Sequence, residues 1–236
     1  MRHPFFSPAL AIALLVGPYI SGFAQGPAPA ARPGGAKAAA KNSGTNTNAN
    51  SNDMKLAVRG ALDQALQALR ANRLPEAERF ARAAVAASLR SAVAHNLLGV
   101  VLDRSGLFDA ALAEFNTAIS LDRNFVSARN NLGRALAGRG RTPEAIAEFE
   151  RVLKIDPAHQ QAHYNLGALY AESGDFQKAS DHFGRARASA PEDPQLALAF
   201  LNVAYRAGRA SEADSAADFV ERAVAKDSRA LFTLAT

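Results

Sequence analysis

From Met54 onward the apolar residues are spaced like one face of a helix. Leu56, Leu62, Leu66 and Leu69 recur at helical intervals, and no segment alternates with the two-residue period of a strand. Helix-starting residues then follow at regular distances: Pro75–Glu76, Asp109, Thr142–Pro143–Glu144, Asp175 and Ser211–Glu212. Cap and acidic residues favour a helix N-terminus, and proline is tolerated in a first turn. The pattern predicts an all-α fold of ten helices in five antiparallel pairs.

The pairs are copies of one unit. Asn131–Leu132–Gly133 returns 34 residues later as Asn165–Leu166–Gly167. Counting in that register gives units 58–91, 92–125, 126–159, 160–193 and 194–227. A fixed period of this length signals an array. Small residues hold the register: unit position 20 is Ala77, Ala111, Ala145, Ala179 and Ala213. Position 8 is Ala65, Gly99, Gly133, Gly167 and then Leu201, while Phe115, Phe149 and Phe183 hold position 24. A small residue lets two helix backbones approach, and a large one fills the space beside it. Position 15 is Asn72, then Gly106, Gly140, Gly174 and Gly208, residues that tolerate the left-handed turn ending a helix. Pro157 and Pro191 stop the second helix of their units.

A 34-residue helix–turn–helix unit with this small-and-large pattern resembles the tetratricopeptide repeat (TPR). The resemblance is strongest over Ala92–Asp193, three consecutive units. It implies an α-solenoid of about five units wound as a right-handed superhelix. The family's aromatic residue near position 4 is replaced here by His95, Arg129 and His163. Residues 228–236 continue the register, with Leu231, Leu234 and Ala235 at apolar positions. They are expected to form a capping helix over the fifth pair, since terminal units need their exposed faces covered. The alternative is a disordered apolar tail that docks on a partner.

The first 53 residues have a different character. Met1–Ala24 reads as a secretory signal peptide: Arg2 and His3, an apolar core over Pro8–Val16, a break at Gly17–Pro18, and small residues Gly22 and Ala24 before the cleavage point. The core is short of the roughly 20 residues a spanning helix needs. An uncleaved membrane anchor is the competing reading. Residues 25–53 are rich in Pro, Ala, Gly, Asn, Ser and Thr and carry almost no large apolar side chain. Such a segment cannot repay the entropy of ordering and reads as a disordered linker. No stable membrane span is expected after cleavage.

Composition narrows the chemistry. The chain of 236 residues has a net charge of +5 and no Cys. Absent Cys excludes disulfides, thiolate catalysis, Cys-based zinc sites and a lipidated N-terminal Cys. Arg2, Arg32, Lys37 and Lys41 against Asp53 give the leader and linker a net +3, leaving +2 over residues 54–236. The array is therefore not read as a nucleic-acid surface. His159 and His163 are four apart, a spacing that can hold a metal on one helix. No third ligand follows, and His163 occupies a packing position, so neither metal nor cofactor is expected. No nucleophile elbow, phosphate loop or framed carboxylate pair is present, and the chain is not read as an enzyme.

What remains is the concave groove that the resemblance implies. First-helix positions would line it with Asn96, Val100 and Arg104, then Asn130, Asn131 and Arg134, then Gln161, Tyr164, Asn165 and Glu172. The repeat of Asn131 and Asn165 resembles the asparagine ladder of the TPR superhelix in O-GlcNAc transferases. A side-chain amide both donates and accepts, so a row of them can bond an extended backbone. Facing the groove, these two side chains are expected to matter little for folding. TPR co-chaperones grip a carboxylate with Lys and Arg, but the corresponding places here carry Ser127 or Gln161 and Asn131 or Asn165. The reading is an exported scaffold, monomeric or weakly oligomeric, in a bacterial periplasm or outside the cell. It would hold a protein or peptide partner within a cell-envelope assembly. A structural subunit using its convex face or tail is the alternative, with an enzyme of unrecognised type a further one.

Overall fold

The computed structural model describes residues 47–234, with side chains described over 53–223. The leader and residues 25–46 of the linker lie outside the described residues. The described residues form ten α-helices and no strand: α1 (Thr47–Arg70), α2 (Leu74–Ala87), α3 (Ala92–Arg104), α4 (Phe108–Leu121), α5 (Val126–Ala137), α6 (Thr142–Ile155), α7 (Gln160–Glu172), α8 (Phe176–Ser189), α9 (Pro194–Arg206) and α10 (Ala210–Leu234). Among them no helix is long and apolar enough to cross a membrane.

Each odd-numbered helix packs on the even-numbered helix that follows, and each pair packs on the next. The links within pairs are short because the chain turns in a left-handed residue. Gly140 has φ 71°, and Asn72 does the same work at φ 55° in the first pair. Ser91, Asp175 and Asp193 cap α3, α8 and α9, their side-chain oxygens accepting backbone N–H bonds. These are the free N–H groups that a helix start leaves unpaired.

Packing follows the small-and-large code. A Cβ added to Gly99 would lie 2.6 Å from the Phe115 ring, one at Gly133 2.8 Å from Phe149, and one at Gly167 2.9 Å from Phe183. Each glycine therefore exists to seat the phenylalanine of its own pair. Ala111, Ala145 and Ala179 are fully buried. Replacing Ala145 by Leu inserts a branched side chain where no space exists, at an expected cost of about 1–3 kcal/mol. Chemical denaturation reads this directly, and an unchanged midpoint would contradict the register.

Two segments differ from expectation. α1 begins at Thr47, inside the stretch read as linker. No Gly or Pro stands between Thr47 and Val58, and extending an existing helix adds one hydrogen bond per residue fixed. At the other end, 228–234 is no separate cap: α10 runs unbroken from Ala210 to Leu234. Pro157 and Pro191 at unit position 32 remove an N–H just after α6 and α8, and α10 has Ala225 there. With Leu89 and Arg123 at that position, α2 and α4 end all the same, so the missing proline permits the longer helix without by itself causing it.

Candidate functional site

Successive first helices touch one another: α1 reaches α3, α3 reaches α5, and α5 reaches α7. No comparable contact joins successive second helices. The odd-numbered helices are therefore the more closely spaced row, which makes theirs the inner, concave side. The candidate residues all lie on this row, on α3, α5 and α7.

The amides there form a bonded series. Asn131 Nδ2 donates to Asn96 Oδ1 at 3.0 Å, and Asn165 Nδ2 donates to Asn130 Oδ1 at 3.3 Å. Gln161 Nε2 donates to Asn165 Oδ1 at 3.3 Å. Each Asn–Asn bond crosses from one unit to the next. Asn130 is only 8% exposed, so it serves as an acceptor inside the row and not as open groove surface. The expectation that these side chains have little bearing on folding is thus corrected, because they tie neighbouring units together. Asn131 still keeps its Oδ1 and its second N–H, and it is partly exposed.

The other candidates divide by exposure. Arg104, Arg134 and Glu172 are exposed. Arg104 also donates to the Leu69 carbonyl at 3.4 Å, reaching back onto the end of α1. Val100 is half-buried and packs on the core. Tyr164 stands edge-on to Phe183, with ring centroids 5.4 Å apart. Burial raises its hydroxyl pKa, and the nearby Asp193 charge raises it further. Beside Arg134, burial raises the Asp103 carboxyl above its ordinary range, while Arg134 and then Arg139 draw it back down.

The residues at unit position 4, where the family places an aromatic, form a polar clamp. His95 faces Glu114 at 2.6 Å and the Leu89 carbonyl at 3.1 Å. Arg129 donates to Glu148 at 3.1 Å and to the Arg123 carbonyl at 2.8 Å. His163 donates from Nε2 to the Pro157 carbonyl at 3.0 Å, and its Nδ1 lies 3.0 Å from His182 Nδ1. A polar side chain at this buried place requires a partner, and position 23 supplies it each time. The 19-residue spacing of Arg129 and Glu148 was the available sequence signal. His159 is the N-cap of α7, its Nδ1 accepting the Ala162 N–H at 3.1 Å.

The third clamp is built from two bases. With Nε2–H on the Pro157 carbonyl, neutral His163 accepts at Nδ1 from His182 Nδ1–H, so a second proton on His163 would break the bond between the rings. Burial lowers the pKa of both rings; His182 falls to about 4, with the His163 and Arg185 charges adding to burial and Asp181 opposing. Asp156 opposes the shift of His163, while Arg185 adds to it. His182 also stacks on Tyr170 at 5.6 Å. Both folded-state pKa values lie below the ordinary 6.5. Their contribution to stability is therefore complete above about 6.5 and is lost as pH falls towards 4. Melting curves at these two pH values should show a smaller loss in His182→Gln than in the wild type. Equal losses would contradict the clamp.

Tetratricopeptide repeat family models match residues 62–125 and 136–201, together more than half of the chain. No curated protein matches it in sequence. Among solved structures, PilF of Pseudomonas aeruginosa is 21% identical with a TM-score of 0.66, over 72% of this chain and 78% of that one. PilW, described as a widely conserved type IV pilus biogenesis factor, is 23% identical with a TM-score of 0.62, over 71% and 77%. YrrB, described as a TPR protein with an unusual peptide-binding site, is 16% identical with a TM-score of 0.54, over 73% and 90%. At these identities the likeness is one of fold. With the repeat units matched on both halves of the helical array, the chain belongs to the tetratricopeptide repeat family.

Proposed function

We propose that this protein is an exported scaffold whose concave row of first helices holds an extended segment of a partner protein. The observation that carries the reading is the amide series of α3, α5 and α7. It joins consecutive units and leaves donor and acceptor capacity at Asn131, the complement that a peptide backbone needs. Asn96, Arg104, Arg134, Gln161, Tyr164, Asn165 and Glu172 lie along the same row; Val100 and Asn130 support it from beneath. Similarity to a structure described as peptide-binding and to a pilus biogenesis factor supports a binding role in a bacterial cell envelope.

A photo-crosslinking residue at Arg134, on the inner row, should trap a partner in the native host. The same residue at Glu150, exposed on α6, should not. Crosslinking from Glu150 alone would favour a structural subunit that uses the outer face. Export predicts a mature chain beginning at Gln25, which N-terminal sequencing reads. A retained Met1 would sink the cleavage and favour an anchor.

A further inference from the structure

The inner row is unevenly charged, and the imbalance indicates the chemistry of what it holds. Arg70, Arg104 and Arg134 are exposed and come from α1, α3 and α5, three consecutive first helices. No ion pair joins any of the three to a carboxylate among the described residues. Several cations of the second helices differ in this respect: Arg82 pairs with Glu78 at 2.8 Å and Lys178 with Asp175 at 2.9 Å. On the first-helix stretch the carboxylates are Asp53 and Asp63, exposed on α1, and Asp103, half-buried beside Arg134, against Lys55 and Arg59 of α1 and the three arginines. They leave the stretch positive. Arg104 is steadied by its bond to the Leu69 carbonyl, which holds its guanidinium close to the end of α1 that carries Arg70.

Resting on the groove reading above, we propose that the segment bound across α1, α3 and α5 is acidic, with carboxylates about three residues apart. The spacing follows from geometry. Packed helices lie about 8–10 Å apart, and an extended chain advances about 3.3 Å per residue. One carboxylate per first helix therefore recurs at about every third residue, while the intervening backbone lies along the amides. The guanidinium's fork of donors suits a carboxylate. A nucleic acid strand would use the same charge but not the amide row, which matches a peptide's alternating N–H and C=O.

The test uses the full chain and three fluorescent probes. One is a synthetic peptide with Glu at every third position, the second has Lys in place of Glu, and the third is a single-stranded oligonucleotide. The Glu peptide should bind about tenfold more tightly than the Lys peptide, and the Arg104→Glu, Arg134→Glu double variant should reverse that order. Raising salt should weaken the Glu peptide's binding to the wild type. Circular dichroism of the variant checks its fold, and the salt series on the wild type stands without it. Equal binding of the two peptides, an order unchanged by charge reversal, tighter binding of the oligonucleotide, or no binding of the Glu peptide would each overturn the acidic assignment. None of these outcomes decides the groove reading, which is tested separately by crosslinking from Arg134 and Glu150.

Discussion

Replacing Phe149 by Ala is expected to cost about 3–5 kcal/mol, the largest single effect in the array. The ring is 1% exposed and fills the space left by Gly133, which its atoms approach so closely that a Cβ would stand 2.8 Å away. Removing it leaves a cavity between α5 and α6 that two rigid helices cannot close. Because each unit packs only on its neighbours, the loss should be felt first in that pair. Gly133→Ala tests the partnership. In the wild type the added methyl meets the ring, and in the Phe149→Ala background it enters the cavity. The second change should therefore cost less in the double variant than alone, which a double-mutant cycle in denaturant measures. Additive costs would show that the glycine and the ring are independent.

Changing Asn131 and Asn165 together to Ala should affect both stability and binding. The two inter-unit hydrogen bonds are lost, and buried Asn130 is left without its donor. At about 0.5–1.5 kcal/mol net per bond, stability should fall by about 1–3 kcal/mol, less a small gain from alanine's helix propensity. A partner trapped from Arg134 should bind the folded double variant about 5- to 150-fold more weakly, the equivalent of losing two such bonds. Calorimetric titration checks the second effect and denaturation the first. Unchanged affinity in a folded variant would make the amides purely structural, serving the array and not the partner.

The fold was legible because its rule is local. Gly133 with Phe149, and Ala145 beside them, repeat with the unit because every pair solves the same packing problem. What crosses from unit to unit was harder to read. Asn96 and Asn131 are 35 residues apart, one more than the period, so a register that aligns like with like hides their bond. The clamp was hidden for a related reason. His95, Arg129 and His163 stand where an aromatic was expected, and their partners become visible only when α3, α5 and α7 are laid against α4, α6 and α8. The C-terminal end shows the limit of extrapolating a period. Leu231 and Leu234 fit a sixth unit's register, but α10, with Ala225 and no proline at position 32, runs through the place where a sixth unit would begin.

The central claim is that the first-helix row is the binding face. Hydrogen exchange on the full chain, with and without the partner trapped from Arg134, tests it most directly. Slowed exchange should concentrate in α3, α5 and α7. Slowing confined to α4, α6 and α8, with the first helices unchanged, would contradict it.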